Sequence, residues 1–286
     1  MAWKYSIFTV MCPELDPEGT AGLAKSLGFD GLEWRVTQKS PEPIEKFNYW
    51  SANRSTVDVD DIESDLARAK RICDHHGLAM PFLGTYMDCS RLDVIERVMR
   101  AAVSVGSAKM RVGPPRYDGS HTYQGLFEQA RHNLDRVAAL ARTSGVQACI
   151  EMHMGNITPS AGLAHRLVSA FDPAEIGVIF DPGNMVIEGM ENFQMGLELL
   201  GPYLSHVHAK NMAWQKSGEE NGVARWQRQM VPIKKGQADW TAVVSALKSV
   251  GYDGWLSFED FSAVDTRTKL ADALVYLKQL EAAEGA

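Results

Sequence analysis

Four apolar runs in the second half of the chain end in residues able to hold a metal ion or move a proton. VQACIEMH ends in Glu151 and His153, IGVIFD in Asp181, LSHVHA carries His206 and His208, and WLSFE ends in Glu259. Burying an acid or an imidazole at the end of an apolar run is costly unless the group is paired or metal-bound. One such strand end is readily a helix cap or a buried salt bridge, but four in succession on one rim are harder to explain that way. Three carboxylates and one imidazole make a hard, mostly oxygen donor set with open positions. That set suits one divalent ion: Mn2+ is the expected one, with Mg2+, Co2+ and Zn2+ open. His206 and His208 are two apart and share a strand face, so spacing alone leaves both as candidates. His153 lies on the face of Glu151 nearer the mouth, placed to support Glu151 or to bond a substrate hydroxyl.

Charged groups also end two earlier strands. Glu33 and Arg35 sit two apart at the end of GLEWRV, and Arg111 ends a fourth strand. Each is a candidate substrate clamp or one half of an ion pair inside a barrel.

These positions need a scaffold that brings strand ends together. The chain alternates short β-rich runs with helical periods. Strands are expected near 5–10, 31–36, 78–85, 108–113, 146–153, 176–181, 204–209 and 255–259. Helices are expected near 17–28, 60–77, 92–105, 120–144, 160–170, 192–200, 240–250 and 266–281. Eight strand–helix pairs in alternation require parallel pairing, and a single α/β domain, a (β/α)8 TIM barrel over 1–286, is the economical closure. An open doubly wound sheet is the structural alternative, but no GxGxxG turn follows the first strand. SLGFDGLEW and SVGYDGWLSFE share a turn chemistry in which the first glycine ends a helix in the left-handed conformation. Two long rim connections, about 37–58 and 211–239, read as structureless lids or interfaces. The first carries Phe47, Tyr49, Trp50 and Arg54, and the second Trp214, Arg225, Trp226 and Arg228. Aromatics can stack on a sugar ring and arginines can hold hydroxyls; subunit contact through the same side chains is the competing reading.

With 286 residues, 45% hydrophobic and 23% charged, the chain has material for a large core without disulfides. A net charge of −7 argues against nucleic acid or an anionic membrane as the main partner. The four cysteines are scattered, with Cys73 and Cys149 in core-like patterns, and fit a reducing compartment. MAWKYSIFTV is too short and interrupted for a signal segment, and no run approaches the roughly 18 apolar residues of a membrane span. The expected location is the cytoplasm, and the expected assembly is a homo-oligomer, dimer or tetramer.

The segments CIEMHMG, IFDPGNM, HVHAKN, GQADW and GYDGWLSFE resemble the sugar phosphate isomerase/epimerase superfamily, the xylose-isomerase-like barrels. Its members include hydroxypyruvate isomerase, ketose 3-epimerases, inosose dehydratase and endonuclease IV. The resemblance covers almost the whole chain but is carried by the second half. It implies a metal held by Glu151, Asp181, His208 and Glu259, which are residues the strand ends also select. It places the ligand before the Ala-Lys step, favouring His208 over His206, and points Lys210 toward the mouth, where a cation can stabilise an enolate oxygen. It also implies Glu151 and Glu259 as the acid/base pair of a sugar isomerase or epimerase working through an enediolate. A lyase on the same scaffold is the alternative, with His153 or a loop residue protonating the leaving group; a non-enzymatic sugar-binding subunit is a further one. Asn184 departs from the pattern, because several members carry His there. Asparagine bonds substrate but is a poor metal ligand, which argues against a trinuclear DNA-repair enzyme. The resemblance implies a small-molecule carbohydrate as the partner, and the substrate contacts expected are His153, Asn184, Lys210, Arg35, Arg111 and Trp214.

Overall fold

The computed structural model describes residues 3–41 and 43–283. The expected span of 1–286 therefore has its two ends outside the described residues, as is Glu42 in the first rim connection. The elements run β1 (Lys4–Phe8), α1 (Pro17–Leu27), β2 (Gly31–Thr37), β3 (Thr56–Asp58), α2 (Ile62–His76), β4 (Ala79–Thr85), α3 (Leu92–Val105) and β5 (Lys109–Arg111). They continue with α4 (Tyr123–Ser144), β6 (Gln147–Glu151), α5 (Ala161–Val168), β7 (Ile176–Phe180), α6 (Pro182–Ile187) and α7 (Phe193–Leu200). The chain ends with β8 (Leu204–Ala209), β9 (Met212–Glu220), β10 (Val223–Met230), α8 (Trp240–Ser249), β11 (Trp255–Phe258) and α9 (Thr266–Ala283).

Strands β1, β2, β4, β5, β6, β7, β8 and β11 pair in that order, all parallel, and β11 returns to β1. This is a closed (β/α)8 barrel. Closure rests on Lys4–Ile7 in register with Trp255–Phe258, so the first and last strands must both be made before the barrel is complete. The helical faces are those the three- and four-residue spacing marks: α3 buries Ile95, Val98, Met99, Ala102 and Val105 against the sheet. Inside the barrel, Phe82, Cys149 and Ile179 form a small apolar layer, and His206 stacks on Phe82 with ring centroids 4.3 Å apart. All four cysteines are buried and free. Among the described residues, no helix is long and apolar enough to cross a membrane.

Two departures from strict alternation matter for the site. After β7, a one-and-a-half-turn helix, α6, starts directly on the strand end, before the expected helix α7. The connection 211–239, expected as structureless, instead forms an antiparallel hairpin of β9 and β10. Its turn is Asn221-Gly222, both at positive φ (52° and 77°), the backbone that a two-residue hairpin turn requires and that Asn-Gly supplies at least cost. The other connection, 37–58, ends in the short β3 paired to β2.

Candidate active site and metal centre

The strand ends of β6, β7, β8 and β11 bring Glu151, Asp181, His208 and Glu259 together. Each offers one ligand atom, and those atoms lie within 4.8 Å of one another, all in buried residues. Ligands on opposite sides of one ion stand about 4 Å apart at ordinary metal–oxygen and metal–nitrogen distances, so small side-chain shifts close the set on a single ion. The donor chemistry, three carboxylates and one imidazole, fits a divalent cation.

His208 is held from both sides. Its Nδ1 is 3.0 Å from Glu151 Oε1 and 4.0 Å from Glu259 Oε2, while its Nε2 is 3.2 Å from Glu33 Oε1. The other Glu33 oxygen lies 2.9 Å from His206 Nε2. Glu33, weighed from sequence as a rim clamp or an ion-pair member, is thus a fully buried partner of two histidines. His206 lies deeper in the barrel than the ligand set, as its position one pleat back implies. Burial opposes charge on His208, but the Glu33 and Glu151 carboxylates outweigh it and raise the imidazole well above its usual range. Glu33 shows the reverse balance: burial would raise it, and the two imidazoles hold it below the usual carboxylate range.

Each candidate acid/base glutamate is clamped by a cation. Arg111 Nη1 donates to Glu151 Oε2 at 2.6 Å, and Arg111 Nε donates to the Thr85 carbonyl at 2.7 Å. Lys210 Nζ donates to Glu259 Oε2 at 2.7 Å and to Asn184 Oδ1 at 2.9 Å, and stands 3.5 Å from Asp181 Oδ2. Burial works against the Glu151 charge, yet Arg111 and then His208 keep this carboxyl well below the usual range. Asp181 goes the other way. Burial pushes it up to about 7, with Glu259 and Glu151 adding to the rise against the pull of Lys210. Three carboxylates and three cationic groups, Arg111, Lys210 and His208, thus face one another in the buried centre.

Asp181 also caps α6. Its Oδ1 accepts from the Asn184 backbone N–H at 2.9 Å, with Pro182 in the first helical turn, an arrangement in which a missing N–H costs nothing. The Asn184 side chain donates to Asp181 Oδ2 (2.7 Å), the Met152 carbonyl (3.2 Å) and Glu151 Oε1 (3.3 Å). It is fully buried and joins β6, β7 and β8 through its own amide. Gly183 permits this crowding, because a Cβ there would stand 2.7 Å from Lys210 Cγ.

A cavity of about 310 Å3 opens from Glu151 toward the loops after β4, β5 and β6, and is lined by His153, Arg111, Tyr86 and Asn156 among others. His153 Nδ1 is 2.6 Å from the Met154 carbonyl, which leaves Nε2 for the cavity. Burial, opposed by Glu151, lowers the His153 pKa. Arg35 and Trp214 join neither the ligand set nor this lining. Arg35 is buried, donates to Thr56 Oγ1 (2.6 Å) and to the Trp50 carbonyl, and sits 5.4 Å from the Tyr86 ring centroid. Trp214 is partly exposed on β9 and ties the hairpin to α6 through Nε1 and the Val186 carbonyl at 3.1 Å. Sequence reasoning missed Tyr86, whose ring is 4.3 Å from the Arg111 guanidinium. The signal was available, because Tyr86 ends the apolar run PFLGT as Glu151 ends CIE. The first rim connection does reach the centre, through Trp50 and Tyr49 packed on Phe261 (4.8 and 4.9 Å) and Lys210 over the Phe261 ring at 5.1 Å.

Inosose dehydratase from Lacticaseibacillus casei is 26% identical over 151 residues, which is 50% of this chain and 49% of that protein. The chain thus spans about half the length of the curated relatives it matches. Among solved structures, 3-keto-D-glucoside 4-epimerase from E. coli superposes with a TM-score of 0.73 at 17% identity, covering 97% of this chain and 100% of the other. D-psicose 3-epimerase with D-tagatose, from Clostridium cellulolyticum H10, does so with a TM-score of 0.71 at 15% identity, covering 97% and 99%. At these identities the structural likenesses establish the fold. The family model described as xylose isomerase-like TIM barrel matches residues 21–280, and the chain therefore belongs to the xylose isomerase-like TIM barrel family.

Proposed function

We propose that the protein is a divalent-metal-dependent isomerase or epimerase of a sugar or keto-sugar, working through an enediolate. The observation that carries this reading is the pair of glutamates, Glu151 and Glu259, flanking one imidazole and each fixed by its own cation. Glu151, Asp181, His208 and Glu259 would hold the ion, for which Mn2+ is the proposed identity. A bound divalent cation supplies the positive charge that acidifies a C–H beside a carbonyl and steadies the oxygen left negative. Arg111 keeps Glu151 ionised and ready to take the proton from carbon. Glu259, bonded to Lys210, returns a proton at the other carbon or the other face. Lys210 and Asn184 fix the two acidic arms relative to each other, and His153 offers Nε2 to a substrate hydroxyl in the cavity.

The inosose dehydratase relatives favour one second reading, a lyase. There the same proton abstraction is followed by departure of a hydroxyl or alkoxyl from the adjacent carbon, with His153 protonating it. Incubation of the Mn2+-loaded protein with a panel of keto-sugars in D2O, followed by mass spectrometry and NMR, separates the two. Deuterium uptake with a mass-neutral product otherwise is expected for the isomerase, and loss of water or aglycone for the lyase. Glu151→Gln and Glu259→Gln should each abolish exchange, at a cost of about 10^2-fold or more, the lower end for a removed general acid or base. Full exchange by both variants would remove the mechanism.

A further inference from the structure

Beside the cavity that opens from Glu151 lies a second one of about 440 Å3. The two share one wall, the run Tyr86-Met87-Asp88 that follows β4. This wall is braced from behind: the Gly113 N–H donates to the Met87 carbonyl at 2.7 Å and the Cys89 N–H to the Gly113 carbonyl at 2.9 Å. The Tyr86 ring is gripped by Arg111 and Arg35, yet 40% of the residue remains accessible. It is a rigid partition with open faces.

The first cavity, at about 310 Å3, accommodates a sugar ring beside Glu151, and the second adjoins it across the Tyr86-Met87-Asp88 wall. The second cavity has its own chemistry. Val36, Val59 and Val94 give it an apolar side, suited to the C–H face of a ring. Arg91 and Arg97 face Asp60 and Asp88 around it, so donors and acceptors are balanced and no single sign of charge prevails. The Arg91 guanidinium makes no hydrogen bond or ion pair among the described residues, whereas the Arg97 guanidinium is anchored by Nη2 donating to the Val59 carbonyl. Among the described residues each Asp has one side-chain oxygen engaged, Asp60 by Gln38 and Asp88 by the Ser90 N–H. Unspent donors and acceptors over an apolar side match a neutral polyhydroxylated ring better than a phosphate or a carboxylate.

We infer that the second cavity is a subsite for the remote sugar ring of a two-ring substrate, with Tyr86 as the divider between the reacting ring and its substituent. The inference rests on the sugar-enzyme reading above and names its substrate class, a keto-glycoside or disaccharide rather than a free monosaccharide. Calorimetric titration of the Mn2+-loaded protein with glucose, maltose, cellobiose, sucrose and trehalose tests it, alongside deuterium exchange into their 3-keto forms. At least one disaccharide should bind about tenfold tighter than glucose, the lower range for a filled apolar subsite. Arg91→Ala, a surface change, and Val94→Trp, which fills the cavity, should each erase that advantage and leave glucose affinity unchanged. The subsite is overturned if no disaccharide outbinds glucose, or if both variants weaken glucose and disaccharide alike. Exchange into a keto-monosaccharide with no disaccharide advantage sinks the subsite and leaves the chemistry standing. A disaccharide advantage lost in both variants, with no exchange into any sugar, leaves the subsite and sinks the chemistry. Absence of binding by every sugar removes both.

Discussion

Glu33 is the residue whose chemistry is least visible from its surroundings in sequence. It lies within an apolar strand, fully buried, and spends both oxygens on imidazoles, His206 at 2.9 Å and His208 at 3.2 Å. A carboxylate bonded to the far nitrogen of a ligand histidine fixes which nitrogen carries the proton and leaves the near one free to coordinate. The geometry assigns His208 Nε2 to Glu33 and Nδ1 to the ligand set. Glu33→Gln keeps the shape but removes the charge and leaves an amide donor facing a ring nitrogen. Metal affinity should fall about 10- to 100-fold, the usual cost of losing such a support, measured as Mn2+ binding by calorimetry. Unchanged affinity, with the fold intact by circular dichroism, would assign Glu33 to packing alone. The neighbouring Gly84 explains why the pair is so tightly set. A Cβ there would stand 2.9 Å from Glu33 Oε1 and closer still to the Phe8 ring, so β4 can run against β2 only with glycine at this point.

At the scale of elements, the hairpin of β9 and β10 is held by its own turn and by few anchors. Both strands are exposed along most of their length, and an isolated two-stranded hairpin is at best marginal in water. Its anchors include the Trp214 bond to α6, the Trp214 N–H to Gln237 Oε1 at 2.7 Å, the Gln237 N–H to the Met212 carbonyl at 2.8 Å and Arg228 on Met154 Sδ. Replacing Gly222, at φ 77°, by Val should therefore open the hairpin while costing the barrel little. Hydrogen exchange should accelerate across residues 212–230 with the barrel strands unchanged; equal acceleration in β8 and β11 would show that hairpin and barrel unfold as one. The same segment shows where sequence reading stops. The eight barrel strands announce themselves as apolar runs with glycine-capped helices between them, because burial on both faces forces that composition. The four candidate ligands at the strand ends stand out for the same reason, as polar residues where apolar ones are expected. The hairpin carries no such burial signal: its residues alternate among Trp, Gln, Lys, Arg and Ala, and only Asn221-Gly222 marks it. Glu33 was legible as a strand end, but its histidine partners on β8 are fixed by barrel closure and not locally to β2; Tyr86 meets Arg35 and Arg111 from the two strands that flank β4.

For the molecule as a whole, the barrel concentrates carboxylates where solvent cannot screen them. Glu151, Asp181 and Glu259 converge in buried positions, and the Asp181 carboxyl is pushed up to about 7 by burial first, with repulsion from Glu259 and Glu151 set against the pull of Lys210 and His208. A cation that binds the folded state alone relieves this repulsion and stabilises by mass action. The gain is about 2.7 kcal/mol at a concentration one hundred times the dissociation constant. For a domain of this size each kcal/mol moves the melting temperature by about 2–4 °C. Protein stripped with EDTA should thus melt about 5–10 °C below protein saturated with Mn2+, by differential scanning calorimetry. Asp181→Asn sharpens the test because asparagine still caps α6 through its side-chain oxygen while one negative charge leaves the cluster. In the stripped state this variant keeps the cap but turns an amide N–H toward the Asn184 and Lys210 donors that Asp181 Oδ2 faces in the parent, so it should melt below the stripped parent. With Mn2+ it should gain little, since a ligand is gone. The ordering of the four melting temperatures therefore separates a metal centre from a structural salt-bridge network. A network predicts that Mn2+ raises the melting temperature of neither protein, and that Asp181→Asn costs Lys210 one contact while Glu259 still pairs it.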